Sequence, residues 1–220
     1  MGATSGGGGA RAGAGGPGTW PSQVSMCGLF SIEFYRPYFD VDTCQVKRRL
    51  LQAVWPRQSG TPFLSDEEDP SGLPDLYGPV WVSATLVFEL AVVANASRQA
   101  GASEFDDVFR SVYFVLFYLL VGALGLWVFF KMHDAALSAP EAISVYGYSL
   151  TSFVVTAPLC LIGYLIRWLS LGAASACAAL FVFRSSWPRL KDKTPDKSTM
   201  VFVGAVVVYH FLWFVFIALS

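Results

Sequence analysis

Charge is scarce in this chain. Only 14% of its 220 residues are Asp, Glu, Lys or Arg while 54% are hydrophobic, which excludes an ordinary soluble domain, where about a quarter of residues are charged. The formal net charge of −1 gives no basic excess, and nucleic acid is not expected as a partner. Cysteine and histidine are scarcer still, at four and two. Cys160 and Cys177 fall inside apolar runs, while Cys27 and Cys44 lie in the polar N-terminal part, so no disulfide framework and no CxxC metal site is available. His133 has only Asp134 beside it, without a second ligand at metal spacing. HExxH, GxSxG, P-loop and paired-carboxylate arrangements are all missing. The chain is therefore read as a non-enzyme that holds no metal and no cofactor.

The opening MGATSGGGGARAGAGGPGTWPSQV lacks the basic n-region and apolar h-region of a signal peptide. Residues 1–29 read as a disordered Gly/Ala-rich tail. Gly6 stands where N-myristoylation wants Ser or Thr.

What the chain does have is apolar runs. Five stretches, at roughly 79–96, 112–130, 144–166, 168–183 and 200–219, approach the ~20 residues that a helix needs to cross ~30 Å of hydrocarbon. The expected fold is an all-α membrane protein, a bundle of five transmembrane helices over 79–219, with a partly disordered N-terminal region. Twelve of the fifteen Lys and Arg fall on one side if that side is shared by the N-terminus, Lys131 and the 184–197 loop, against Arg98, Arg110 and Arg167 on the other. The positive-inside rule then predicts a cytosolic N-terminus and a lumenal C-terminus. A tight hairpin is required near Arg167.

Residues 30–78 form the expected cytosolic region. Within it, Val46, Leu50 and Val54 recur at four-residue spacing, Asp42 or Thr43 can cap, and Lys47, Arg48 and Arg49 occupy other faces. Such a helix can lie among anionic headgroups, or else pack on the ends of the spans or form only with a partner, and both readings stay open. Lys47, Arg48, Arg49, Lys191 and Lys193 are the candidate lipid contacts. Residues 57–74, with acidic Asp66–Asp69, read as a solvated spacer. Glu104, Asp106 and Asp107 are placed in a short lumenal loop, and Asn95 begins a sequon at the membrane surface.

Ser138-Ala139-Pro140-Glu141 has capping-box spacing, so span three starts near Ala139; Pro158 should kink it and make it an inner helix. The only acid within the apolar runs is Glu89, about 15 Å beyond Pro79 by helix rise. It is expected to be protonated and hydrogen-bonded to a neighbouring helix, with Ser149, Thr151, Ser152, Tyr164 and Ser175 as partners. With His210 and Tyr209 it could instead form a proton relay.

Two Tyr-Gly clusters mark membrane entry points on one face: Asp75-Leu76-Tyr77-Gly78-Pro79 and Tyr146-Gly147-Tyr148-Ser149-Leu150. Their aromatic rings suit the headgroup level, and Gly78 and Gly147 permit close backbone approach. At these residues, with TLVF at 85–88, Pro158 and the upstream YFDVDT, the chain resembles the Yip family of five-span Golgi membrane proteins named for Ypt/Rab interaction.

The resemblance covers about residues 30–219. It implies a non-catalytic Golgi or ER-to-Golgi protein of vesicle-mediated transport, with ER exit sites and endosomes as further locations. The implied partners are small Rab/Ypt GTPases, other Yip-type membrane proteins in hetero-oligomers, and membrane lipids. It also makes Asp75, Leu76, Tyr77, Gly78, Pro79, Tyr146, Gly147 and Tyr148 the candidate partner-binding residues. Two other functions are weighed against this one: a small proton-coupled ion or lipid transporter using Glu89 and His210, and a membrane-shaping protein without GTPase contact.

Overall fold

The computed structural model describes residues 32–55, 63–64, 74–96, 104–191 and 193–219. The expected tail of 1–29, the acidic run and Ser97 of the sequon lie outside these residues.

The described residues form eight helices and two 3-10 turns. A short α1 (Ile32–Tyr35) runs into a 3-10 turn at Arg36–Tyr38, and α2 (Thr43–Val54) follows. Next come α3 (Tyr77–Ala96) and α4 (Glu104–Met132), then α5 (Ala139–Ser149) and α6 (Thr151–Thr156) with a 3-10 turn at Ala157–Leu161, and finally α7 (Tyr164–Leu190) and α8 (Asp196–Leu219). Five segments are long and apolar enough to cross a membrane: Tyr77–Ala96, Asp106–Met132, Ala139–Leu161, Tyr164–Leu190 and Lys197–Ala218. The chain is thus the expected five-span α-bundle.

The third span is the inner one, with 61% of its apolar window buried against 28–39% for the other four. It begins where expected. Ser138 Oγ accepts from the Glu141 amide at 3.4 Å and Glu141 Oε2 accepts from the Ser138 amide at 2.6 Å, satisfying donors that a helix start leaves orphaned. It does not stay one helix. A break at Leu150 separates α5 from α6, and Pro158 sits in the 3-10 turn that ends the span. Thr156 Oγ1 donates back to the Ser152 carbonyl at 3.0 Å, the kind of local bond that makes broken backbone tolerable in hydrocarbon.

Two boundaries and one burial differ from the reading of the sequence. The turn between the third and fourth spans falls at Ile162–Gly163, and Arg167 lies inside α7. Helix α4 runs back to Glu104, so Asp106 and Asp107 are helical and Asp107 is buried. Acidic residues suit a helix N-terminus, and a helix can extend past the hydrocarbon that hydropathy detects. Phe63 and Leu64, inside the stretch read as a solvated spacer, pack on the bundle core because their side chains are apolar.

Helix α4 stops in a turn where Asp134 takes φ +49° and the Ala135 amide bonds the Phe130 carbonyl at 3.0 Å. That geometry sends the chain back antiparallel. Large exposed side chains such as Phe88, Phe117, Leu120, Leu180, Val207 and Phe211 clothe the outside of the bundle, as lipid-facing positions require.

Candidate functional site

At the entry to α3, Asp75 is 2% exposed. One carboxylate oxygen accepts from the Gly78 amide at 3.2 Å, serving one of the unpaired donors of the first turn. Pro79, with no N–H, needs no partner there. The other oxygen lies 3.2 Å from the Arg49 guanidinium, whose residue is 6% exposed, and also accepts from the Tyr148 hydroxyl. Asp75, Arg49 and Tyr148 therefore join α2, the start of α3 and the end of α5 in one buried cluster.

Carbon packing around this cluster is equally close. A Cβ on Gly78 would stand 2.1 Å from Tyr148 Oη, and one on Gly147 would stand 2.3 Å from Pro79 Cβ. Gly122 of α4 faces Tyr146 the same way, at 2.2 Å. Glycine inside a helix costs about 1 kcal/mol relative to Ala; here it makes room for a ring. The two Tyr-Gly clusters are therefore complementary halves of a single contact.

The N-terminal segment closes over them. The Leu76 amide donates to the Tyr38 carbonyl at 3.0 Å, and Ser152 Oγ donates to the Ala53 carbonyl at 3.1 Å. The Phe63 ring meets Tyr148 edge-on at 5.5 Å and lies under the Arg49 guanidinium at 5.6 Å. Burial, then the neighbouring Tyr35, push the Tyr38 phenol above its ordinary range. A second tie stands beside the first. Arg189, near the end of α7, pairs with Glu141 at 2.8 Å and donates to the Leu64 and Ala136 carbonyls.

These contacts separate the candidate residues. Asp75, Gly78, Pro79, Tyr146, Gly147 and Tyr148 are buried and Leu76 half-buried. Tyr77 stays exposed with Trp81, their rings 6.1 Å apart. Lys47, Lys191 and Lys193 are exposed and Arg48 half-buried, but Arg49, expected at the headgroups, turns inward. The cause is Asp75: a carboxylate at the mouth of an apolar span requires a counter-charge. Helix α2 accordingly takes the second of its two open readings, packing on the span ends through Arg49 and Ala53 and leaving Leu51 and Trp55 outward. Asp42 occupies its N-cap position without a side-chain bond.

Deeper in the bundle, Tyr118 Oη contacts Ser149 Oγ at 2.8 Å and His210 Nε2 at 3.0 Å. His210 Nδ1 lies 2.8 Å from the Val206 carbonyl, which can only accept, so that nitrogen carries a proton. Ser149 Oγ donates to the Tyr146 carbonyl at 2.6 Å, Tyr209 donates to the Tyr118 carbonyl at 2.6 Å, and Ser175 donates to the His210 carbonyl at 2.7 Å. Four spans are tied together at this level.

Glu89 is not among these groups. Its buried Oε2 has no hydrogen-bond partner, so the expected bond to Ser149, Thr151, Ser152, Tyr164 or Ser175 is not made. Nor is the Glu89–His210 relay assembled, because the imidazole is committed to Tyr118 and Val206.

Sequence reasoning misplaced Arg49, named as a lipid contact, and missed Tyr118. Arg49 could have been found from Asp75, which needed a cation near a membrane mouth. Tyr118 sits in an apolar run with no neighbouring polar residue to mark it.

A family model described as the YIPF3 C-terminal domain matches residues 43–220, which takes in α2 and all five spans. The chain is 32% identical over 181 residues to "Protein YIPF1 homolog" of Dictyostelium discoideum, covering 79% of this chain and 51% of that protein. It is 29% identical over 154 residues to "Protein YIP5" of Saccharomyces cerevisiae, covering 60% and 46%. The chain thus spans about half the length of the curated relatives it matches. No solved structure matches it.

Proposed function

Because this chain belongs to the Yip family of multi-pass membrane proteins, we propose that it is a non-catalytic docking factor of vesicle-mediated transport in the Golgi membrane. Its partners in this reading are Rab-type GTPases and other Yip-type membrane proteins. The N-terminus and the Arg49–Asp75–Tyr148 cluster face the cytosol and the C-terminus faces the lumen. The charge tally supports that orientation, since Lys131, Arg189, Lys191, Lys193 and Lys197 all belong to the end of the bundle that holds the cluster.

The observation that carries the proposal is the junction itself. A buried ion pair and a tyrosine hydroxyl fasten α2 to the start of α3 and to α5, so the exposed residues around it are held in fixed relation to the membrane. The buried members of the two Tyr-Gly clusters set this geometry; Tyr77 and Trp81, with Lys47 and Leu51 of α2 and Trp55 just after it, form the surface offered to a partner. Interfaces concentrate their energy in aromatic residues of this kind.

The test replaces Tyr77 and Trp81 by Ala, both exposed and both outside the cluster. Co-purification of a Rab-type GTPase and of Yip-type proteins should fall about tenfold, corresponding to the ~1.4 kcal/mol lost from a hot-spot residue, while insertion and Golgi arrival persist. Unchanged co-purification would remove the proposed surface. Gly78→Leu does not serve as such a test, because its side chain would enter the Tyr148 ring.

A further inference from the structure

The end of the bundle opposite the cluster holds a cavity of about 290 Å³ whose polar wall is Asp107, Arg110, Ser111 and Arg167 and whose apolar wall includes Leu90 and Phe114. Its depth follows from helix rise. Arg167 is three residues into α7 and Arg110 six into α4, or about 4.5 and 9 Å from the helix starts. Both therefore stand near the boundary between headgroups and acyl chains.

Arg167 is half-buried, and its guanidinium makes one described bond, from Nη2 to the Ile217 carbonyl at 3.1 Å. No described residue offers it an ion pair. A guanidinium carries five donors in a planar fork suited to phosphate oxygens, and a half-buried cation near hydrocarbon is costly without a counter-charge. The Arg110 guanidinium lies over the Phe114 ring at 5.8 Å, beside the same cavity. Two arginines against one aspartate leave one positive charge on the wall.

We propose that this cavity binds the phosphodiester group of a membrane phospholipid. Arg167 is the main donor, the Ser111 hydroxyl adds to it, Arg110 contributes its charge from above the Phe114 ring, and the acyl chains leave past Leu90 and Phe114. One phosphodiester carries the single negative charge that the wall lacks. A free phosphate would share the arginines but gain nothing from the apolar half of the wall. This binding is independent of the docking surface at the other end.

The test is native mass spectrometry on the full chain purified from nanodiscs. The probes are phosphatidylcholine, phosphatidylglycerol and a galactosyl diacylglycerol with the same acyl chains but no phosphate. One phospholipid of either headgroup should stay bound and the galactolipid should not. Arg167→Gln should cut retention about tenfold, with Arg167→Lys keeping part of it. Ala94→Trp fills the cavity from α3 while leaving both arginines in the sequence, should also expel the lipid, and decides the matter if Arg167→Gln fails to fold. Excess inorganic phosphate should leave the lipid in place. Equal retention of the galactolipid, full retention in both Arg167→Gln and Ala94→Trp, or displacement by inorganic phosphate would each overturn the proposal.

Discussion

The two ends of the bundle are fastened by different chemistry. At one end a buried aspartate, a buried arginine and a tyrosine hydroxyl meet within a few ångströms, with three glycines letting rings and a proline ring seat against backbone. At the other end Arg167 makes a single bond to a carbonyl and lines a cavity. The first end is closed by groups that cannot be removed singly, because each would leave another buried without its partner. The second leaves a cation for something outside the chain to satisfy. A closed junction and a lined cavity thus stand at opposite ends of the bundle.

Asp75→Ala should show the difference most strongly. It leaves Arg49 buried without its counter-charge and should cost about 3–5 kcal/mol, read as a lowered unfolding transition in detergent. If Asp75→Ala were no worse than Arg167→Gln, the contrast between the ends would be lost.

Gly147→Ala adds a Cβ against Pro79, which sits in a helix and cannot rotate away, and should cost about 1–3 kcal/mol. The same substitution at Gly125, where a Cβ meets nothing within 4 Å, should be neutral or slightly stabilising. Comparable losses at both sites would mean that the packing of the two Tyr-Gly clusters is not specific.

Tyr118→Phe, between the two ends, deprives Ser149 and His210 of their shared hydroxyl and should cost about 1–3 kcal/mol. Its unfolding should be compared with that of Glu89→Gln, which breaks no described hydrogen bond of Oε2 and is expected to change stability by less than about 0.5 kcal/mol. A larger effect from Glu89 than from Tyr118 would restore the proton-relay idea.

The smallest effect belongs to Lys191→Gln with Lys193→Gln, expected within about 0.5 kcal/mol because both side chains are exposed. Measurable destabilisation there would mean that the basic loop helps to close its end.

Hydropathy made the five spans legible, because a run of some twenty apolar residues has few other uses. The start of the third span was equally plain from Ser138 and Glu141, since a capping box is a local device written in four residues. The Tyr-Gly clusters were visible as motifs, but their meaning was not. Gly78 and Tyr148 are far apart in the chain, and nothing local says that one is the space for the other. Arg49 was misplaced for a related reason: helical periodicity sorts side chains by polarity, and it cannot anticipate a carboxylate twenty-six residues later that draws a cation inward. Phe63 and Leu64 show the opposite limit, as two apolar residues in a polar stretch are too few to produce a pattern.

Amide hydrogen exchange over Thr43–Val54, compared between the native chain and Asp75→Asn in nanodiscs, reads whether the cluster holds α2 in place. If the Arg49–Asp75–Tyr148 cluster holds α2 on the bundle, protection of α2 should collapse in Asp75→Asn while α4 and α8 stay protected. Unchanged protection of α2 would mean that the cluster does not hold this helix on the bundle.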